Sequence, residues 1–364
     1  MKLSIFPISL FLILCCAGCN NNNEPEYGSA IEKSKQLLDS IRVAQRIPGI
    51  DAAVAINGKT VWSEGFGFAD LEHGVKVIPG VTKFRIGSVS KPLTSAALGK
   101  LIDAGKIDLD ESVYTYLPEF PEKKYPITVK EISGHIAGIR HYRDSEFLMN
   151  KRFNSVSSSL SIFKDDTLLF APGTDYSYSS YGFNLLSAVI ERASDEPFLP
   201  FIQREVFSAL GMNSTCPDFN DSIIDNRTSF YELNNNNSLV NAPTVDNSYK
   251  WAGGGFLSTT TDLVKFGEAH MTEGFLSAST LREFTTSQVL DNGDSTSYGV
   301  GWRTIQHSGL RGYGHTGGSV GGITAFRIYP KENLILVLLS NSSDTKYGDA
   351  GNKIVNWFLS SSTD

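Results

Sequence analysis

The chain has 364 residues, 41% of them hydrophobic, with 32 basic and 39 acidic side chains and a formal charge of −7. That length and apolar fraction can bury one large core or two interleaved ones, while an acidic balance without basic blocks argues against nucleic acid as a partner. The 6 histidines are scattered without metal-ligand spacing, and Cys216 has no mate outside the N-terminal segment, so neither a metal, another cofactor nor a disulfide framework is expected.

Met1-Lys2 followed by the apolar stretch Leu3–Leu14 reads as an export signal too short for a comfortable membrane span. It ends in Ala17-Gly18-Cys19, which resembles the bacterial lipoprotein cleavage box, although Cys16 stands where that box usually has leucine. The resemblance implies a lipoprotein-type signal peptide over residues 1–19 that ends at the lipobox Cys19, with Cys19 becoming the lipidated first residue after cleavage and anchoring the chain to a membrane of the bacterial cell envelope. Residues 20–28, opening on Asn20–Asn23, then read as a flexible tether to a domain over 29–361.

Ile31, Leu37, Leu38 and Ile41 recur at helical spacing within Ser29–Arg46. Ile50–Ile56 and Thr60–Phe66 read as strands joined by Asn57-Gly58, a strong hairpin signal. Helical patterns such as Leu185–Arg192 and Thr261–His270 dominate the middle, with a long polar connection over Asp218–Lys250. A second hairpin, Gly322–Tyr329 with Leu334–Ser340, turns at Pro330–Asn333, and Ala350–Leu359 closes the chain as a helix. This order predicts an α+β fold: an antiparallel sheet from both chain ends (about 29–87 and 286–361), flanked by the terminal helices, with a mostly helical insert (about 88–285). A cleft between sheet and insert is the expected place for a site.

Ser88-Val-Ser-Lys91 opens an apolar helical run. A spacing of three brings a lysine amine beside a serine hydroxyl on one helical face, and serine needs such a base to act as a nucleophile. The helix start adds unpaired N–H groups where an oxyanion would form. The same spacing recurs at Ser161–Lys164 and Ser343–Lys346, so it decides nothing by itself. Two later segments single out Ser88. One is Tyr178-Ser179-Ser180, after a Pro172-Gly173 turn and before an apolar helix. The other is Gly312-Tyr-Gly-His315-Thr316-Gly317-Gly318, a strand whose glycines would let a substrate backbone approach.

In this order the segments resemble the three motifs of the serine β-lactamase and penicillin-binding-protein superfamily, and its class C β-lactamase branch most. The branch's Tyr-x-Asn stands here as Tyr178-Ser179-Ser180, and its Lys-Thr-Gly as His315-Thr316-Gly317. Gly134-His135-Ile-Ala-Gly138, Ala252–Thr259 and Tyr298–Trp302 look like the family too, and Ile139-Arg-His-Tyr142 resembles its mitochondrial β-lactamase-like serine proteases. The resemblance spans residues 30–360. It implies a β-lactamase/transpeptidase-like fold and an acyl-enzyme on Ser88, with Lys91 and Tyr178 jointly moving the proton. It also implies an oxyanion hole of the Ser88 and Gly318 N–H groups, and a substrate site lined by Ser180, His315, Thr316 and Gly317. A tyrosine flanked by cations is expected to lose its proton more easily. His135 reads as structural; His73, His141, His270 and His307 receive no role.

Gly317-Gly-Ser319-Val-Gly321 also fits the Gly-x-Ser-x-Gly elbow of α/β-hydrolases, but Ile323–Tyr329 reads as strand where that elbow needs a helix. Two departures bear on substrate. Histidine in place of the third-motif lysine is mostly neutral near pH 7, and Ser180 lacks the asparagine's amide. Both favour an exported serine hydrolase acting on small-molecule or peptide substrates through ester or peptide bonds, including D-amino-acid peptides of the cell wall. The alternatives are a β-lactamase or D-Ala-D-Ala carboxypeptidase in the narrow sense, and a catalytically silent sensor, against which Ser88, Lys91 and Tyr178 argue.

Overall fold

The computed structural model describes residues 26–361. The export signal, the lipidation site Cys19 and residues 20–25 of the tether lie outside them. Glu26 and Tyr27 form a turn, and helix α1 (Gly28–Ala44) begins at once.

The main sheet has seven antiparallel strands, numbered here β1 (Gly49–Ile56), β2 (Lys59–Asp70), β3 (Val75–Lys76), β4 (Arg303–His307), β5 (Leu310–Ser319), β6 (Gly322–Tyr329) and β7 (Leu334–Ser340). Their order is β3-β2-β1-β7-β6-β5-β4, so the first and last strands of the chain meet in the middle. Register runs from Ile50 opposite Ser340 to Ile56 opposite Leu334. Asn57 and Gly58 turn the first hairpin with φ of 51° and 72°, the left-handed pair whose twist matches that of the flanking strands.

Both faces of the central strands are covered. Every residue of β1 and β7 is buried. Ile50, Ala52, Val54, Leu336 and Leu338 face a core closed by α1 and the terminal helix, where Leu38, Ile354 and Phe358 pack. Ala53, Ala55, Val337 and Leu339 face the larger core built with the insert. Period-2 alternation thus serves two apolar layers at once. The edge strand β4 differs from the sequence reading, which contains no strand there. Arg303-Thr-Ile-Gln-His makes its ladder with β5 on one side, with a single bridge from Arg303 to Tyr298 on the other, and is half-exposed, so it carries no apolar alternation.

The insert holds α2 (Ser90–Asp103), α3 (Ser180–Ser194), α4 (Thr260–Ala269) and α5 (Ala278–Thr285), and the chain closes with α6 (Ala350–Ser361). Helix α2 is buried almost all round, as a helix apolar on every side must be. The polar connection Asp218–Lys250 contains a hairpin, Tyr231–Leu233 with Leu239–Asn241. Its asparagine run makes the turn, with Asn234 Oδ1 accepting the N–H groups of Asn236 and Ser238. Among the described residues no helix is long and apolar enough to cross a membrane.

The segment leading into α2 is pinned from two sides. Phe84-Arg85 pairs with Phe256–Ser258. The buried Arg85 donates from Nε to Asp218 at 2.6 Å and from a terminal nitrogen to the Val320 carbonyl at 2.8 Å. The start of α2 is thereby tied to the β5–β6 turn.

Candidate active site

Gly87–Val89 forms one 3₁₀ turn that runs into α2. In such a turn residues three apart eclipse, which brings Lys91 over Ser88. Lys91 has no exposed surface. Its Nζ lies 3.2 Å from Ser88 Oγ, 3.0 Å from Ser180 Oγ and 2.7 Å from the Gly253 carbonyl. As an ammonium it donates to all three. As a neutral amine it has two N–H groups and one lone pair. Gly253 O and Ser180 Oγ take the two hydrogens, and the lone pair is left for the Ser88 hydroxyl. Burial first, and then the charges of Lys250 and Arg303, hold the Lys91 pKa well below that of an ordinary lysine.

Tyr178 stands close enough to the Ser88 hydroxyl to feel it. Burial pushes its phenol up, and the Ser88 hydroxyl and the nearby Arg303 only partly oppose that rise. The expectation of an easily ionised tyrosine is therefore corrected, because desolvation outweighs the neighbouring charge. The Lys91 ammonium position also faces the ring, 4.7 Å from its centroid. His135, buried and with φ of 65°, packs its ring 4.3 Å from that of Tyr178. Its Nδ1 accepts the Ser179 N–H at 3.2 Å.

Ser179, not Ser180, caps α3: its hydroxyl accepts the Gly182 N–H at 3.1 Å. Ser180 Oγ is thus free to accept from Lys91.

Strand β5 supplies the other wall. His315 is 2% exposed and lies 6.1 Å from Tyr178, ring to ring. Its Nδ1–H donates to the Thr316 carbonyl at 2.6 Å, so Nε2 accepts the Tyr298 hydroxyl at 2.9 Å. Burial and then the Lys91 charge keep it neutral. Both ring nitrogens are therefore engaged within the protein, and only Thr316 and Gly318 of this stretch are exposed. Gly317 answers to the chain's own backbone: a Cβ there would sit 1.9 Å from the Ile86 carbonyl oxygen and 3.2 Å from Ser88 N. Gly87, with φ of 49°, meets Gly318 in the same way, its Cβ position falling 2.8 Å from Gly318 N. The backbone N–H groups of Ser88 and Gly318 thus share one seam.

The Beta-lactamase family matches residues 33–356. The chain belongs to that family. Serine beta-lactamase-like protein LACTB, mitochondrial, of Homo sapiens is 33% identical over 401 residues, covering 84% of this chain and 73% of that protein. The D-amino acid amidase of Ochrobactrum anthropi SV3 superposes with a TM-score of 0.79 at 20% identity, covering 92% of this chain and 98% of that one. A penicillin-binding protein from Bacillus halodurans gives 0.76 at 24%, covering 88% and 99%. The α+β architecture is that of the β-lactamase and penicillin-binding-protein fold, and the chain is a serine hydrolase of this family.

In this β-lactamase-family site, five side chains stand that the sequence reading did not assign: His141, Tyr142, Lys250, Tyr298 and Arg303. Lys250 is buried over Phe147, 4.4 Å from the ring centroid, and burial, then the charge of Arg85, brings it down to about 7. Arg303 lies 5.2 Å from the Tyr178 ring centroid, its buried Nε without a partner. Tyr142 and Tyr298 fall inside the stretches Ile139–Tyr142 and Tyr298–Trp302, whose family likeness was the available signal. The rival serines are placed elsewhere. Ser319 donates to Gly322 O and is followed by β6, not a helix. Ser161 donates to Ser158 O while Lys164 pairs with Asp165 at the surface, and Ser343 Oγ accepts the Gly321 N–H.

Proposed function

We propose that this hydrolase cleaves ester or peptide bonds through an acyl-enzyme on Ser88, and does so outside the cytoplasm on a lipid anchor at Cys19. The observation that carries the catalytic reading is the buried Lys91 amine, with two fixed acceptors and its remaining valence aimed at Ser88 Oγ. Neutral Lys91 takes the Ser88 proton as the oxygen attacks the carbonyl carbon. The Ser88 and Gly318 N–H groups receive the developing oxyanion. Neutral Tyr178, close to the Ser88 hydroxyl, relays a proton toward the leaving group. Water then releases the acyl group by the reverse traffic. The D-amino acid amidase among the structural relatives makes D-configured peptide bonds a reasonable substrate class to include.

The test uses the chain without residues 1–19, a nitrophenyl ester and a fluorophosphonate. Turnover, and an adduct mapped to Ser88, are expected; Ser88→Ala is expected to lose both. Activity that survives Ser88→Ala sinks the assignment.

Arg303 favours the second reading, a β-lactamase or D-Ala-D-Ala carboxypeptidase. His315 brings no charge to the third motif, but the Arg303 guanidinium, 5.2 Å from the Tyr178 ring, is a fixed cation suited to a substrate carboxylate. Arg303→Met is expected to lower kcat/KM for a chromogenic cephalosporin or a D-Ala-D-Ala peptide about tenfold more than for an uncharged ester. Equal losses on charged and uncharged substrates would remove this support.

A further inference from the structure

We propose that His141 contacts the substrate, its Nε2–H standing in for the side-chain amide that Ser180 lacks, and that it selects acyl groups bearing a carbonyl acceptor, as in N-acylamino acids and peptides. The proposal rests on the Ser88 acyl-enzyme reading and names the substrate class that site takes.

Position comes first. The Ser180 N–H donates to His141 Nδ1 at 3.2 Å, which seats the imidazole at the residue where the family's Tyr-x-Asn places its amide. The proton then has one place to be: with Nδ1 accepting, a neutral ring carries its hydrogen on Nε2. Neutrality is enforced by the surroundings. Burial, followed by the charges of Lys91 and Lys250, holds His141 down at about 4, with Glu146 pulling weakly the other way. The ring cannot swing freely, since it packs at a tilt 4.2 Å from Tyr142 and meets Tyr178 edge-on at 5.6 Å.

Three histidines crowd this site, and their outer nitrogens differ. His315 has both nitrogens engaged. His135 receives the Ser179 N–H in the same manner, but its Nε2 is buried without a partner beneath Tyr178. His141 is half-exposed, and its Nε2 pairs with no protein group among the described residues. Ser180 offers a hydroxyl in place of that amide, and its oxygen already accepts from Lys91 at 3.0 Å. The free donor next to residue 180 is therefore the histidine.

A purely structural role, accepting the Ser180 N–H at the start of α3, is the competing account. The nitrophenyl esters of N-acetyl-D-alanine and of propionic acid separate the two, because they share a leaving group and differ at the acyl side by the amide. For His141→Phe, the ratio of kcat/KM for the N-acetyl ester to that for the propionate is expected to fall about tenfold, one hydrogen bond's worth. His141→Asn, which can accept with its oxygen and donate with its nitrogen, is expected to hold most of that ratio. Because both esters are read on one preparation, loss of folded protein cancels. An unchanged ratio in His141→Phe overturns the proposal, whether both rates fall or neither does. If the unsubstituted chain forms no acyl-enzyme with either ester, the Ser88 reading fails first and takes this one with it.

Discussion

Lys91→Met is expected to lower kcat/KM for a nitrophenyl ester about a thousandfold, within the range that a positioned general base supplies. Methionine keeps the length of the stem and removes the amine, leaving Ser88 with Tyr178 alone. Since Tyr178 is pushed toward its neutral form by burial, it is a poor substitute as a base. A rate within tenfold of the parent would show that Lys91 does not take the proton. The same logic sets a pH profile. The working form is the neutral amine, so activity rises with pH through the Lys91 pKa and then levels. Burial, Lys250 and Arg303 all push that pKa down. Lys250→Met removes one of the two charges, makes the Lys91 ammonium easier to keep, and is expected to move the acid limb to higher pH. Lys250 itself titrates near pH 7, so its influence is greatest on the acid side. A limb that stays put or moves to lower pH contradicts the account.

Gly317→Ala is expected to cost roughly a hundredfold or more in kcat, the loss seen when an oxyanion donor is displaced. The new Cβ would lie 1.9 Å from the Ile86 carbonyl oxygen, which is backbone and cannot swing aside. Strand β5 must therefore retreat from Ile86–Ser88 and take the Gly318 N–H out of line with that of Ser88. Slower fluorophosphonate labelling of Ser88, with the protein still folded by circular dichroism, is the accompanying readout. Parent-like labelling would show that the seam between Gly87 and Gly318 is not where charge develops. At Gly317 the glycine admits the protein's own chain, the Ile86 carbonyl.

Much of the fold was legible because its signals are local. Asn57-Gly58 sets a hairpin, the short apolar runs Ile50–Ile56 and Leu334–Ser340 set strands buried on both faces, and the runs around Leu185 and Ile354 set helices. The parts that were not legible lacked a local signature. Edge strand β4 is polar and half-exposed, and Asp218–Lys250 reads as loop although its asparagines turn a hairpin. His141 shared the family likeness of Ile139–Tyr142, but nothing in the chain near it says that the Ser180 N–H, 39 residues on, would meet its Nδ1.

The sequence by itself determined the family, the order of the three motifs and the pairing of Ser88 with Lys91, because a spacing of three makes two residues neighbours whatever surrounds them. It also determined the departures at Ser180 and His315. Only the tertiary structure decided which of three Ser-x-x-Lys pairs is buried beside a tyrosine, and in which protonation states these groups rest. Those states depend on groups that arrive from far along the chain: Ser180 and Gly253, 89 and 162 residues away, take the amine's hydrogens, and Lys250 and Arg303 supply the charges. Desolvation and long-range charge have no period in a sequence, so they are settled only when the two ends of the chain close the sheet around the insert.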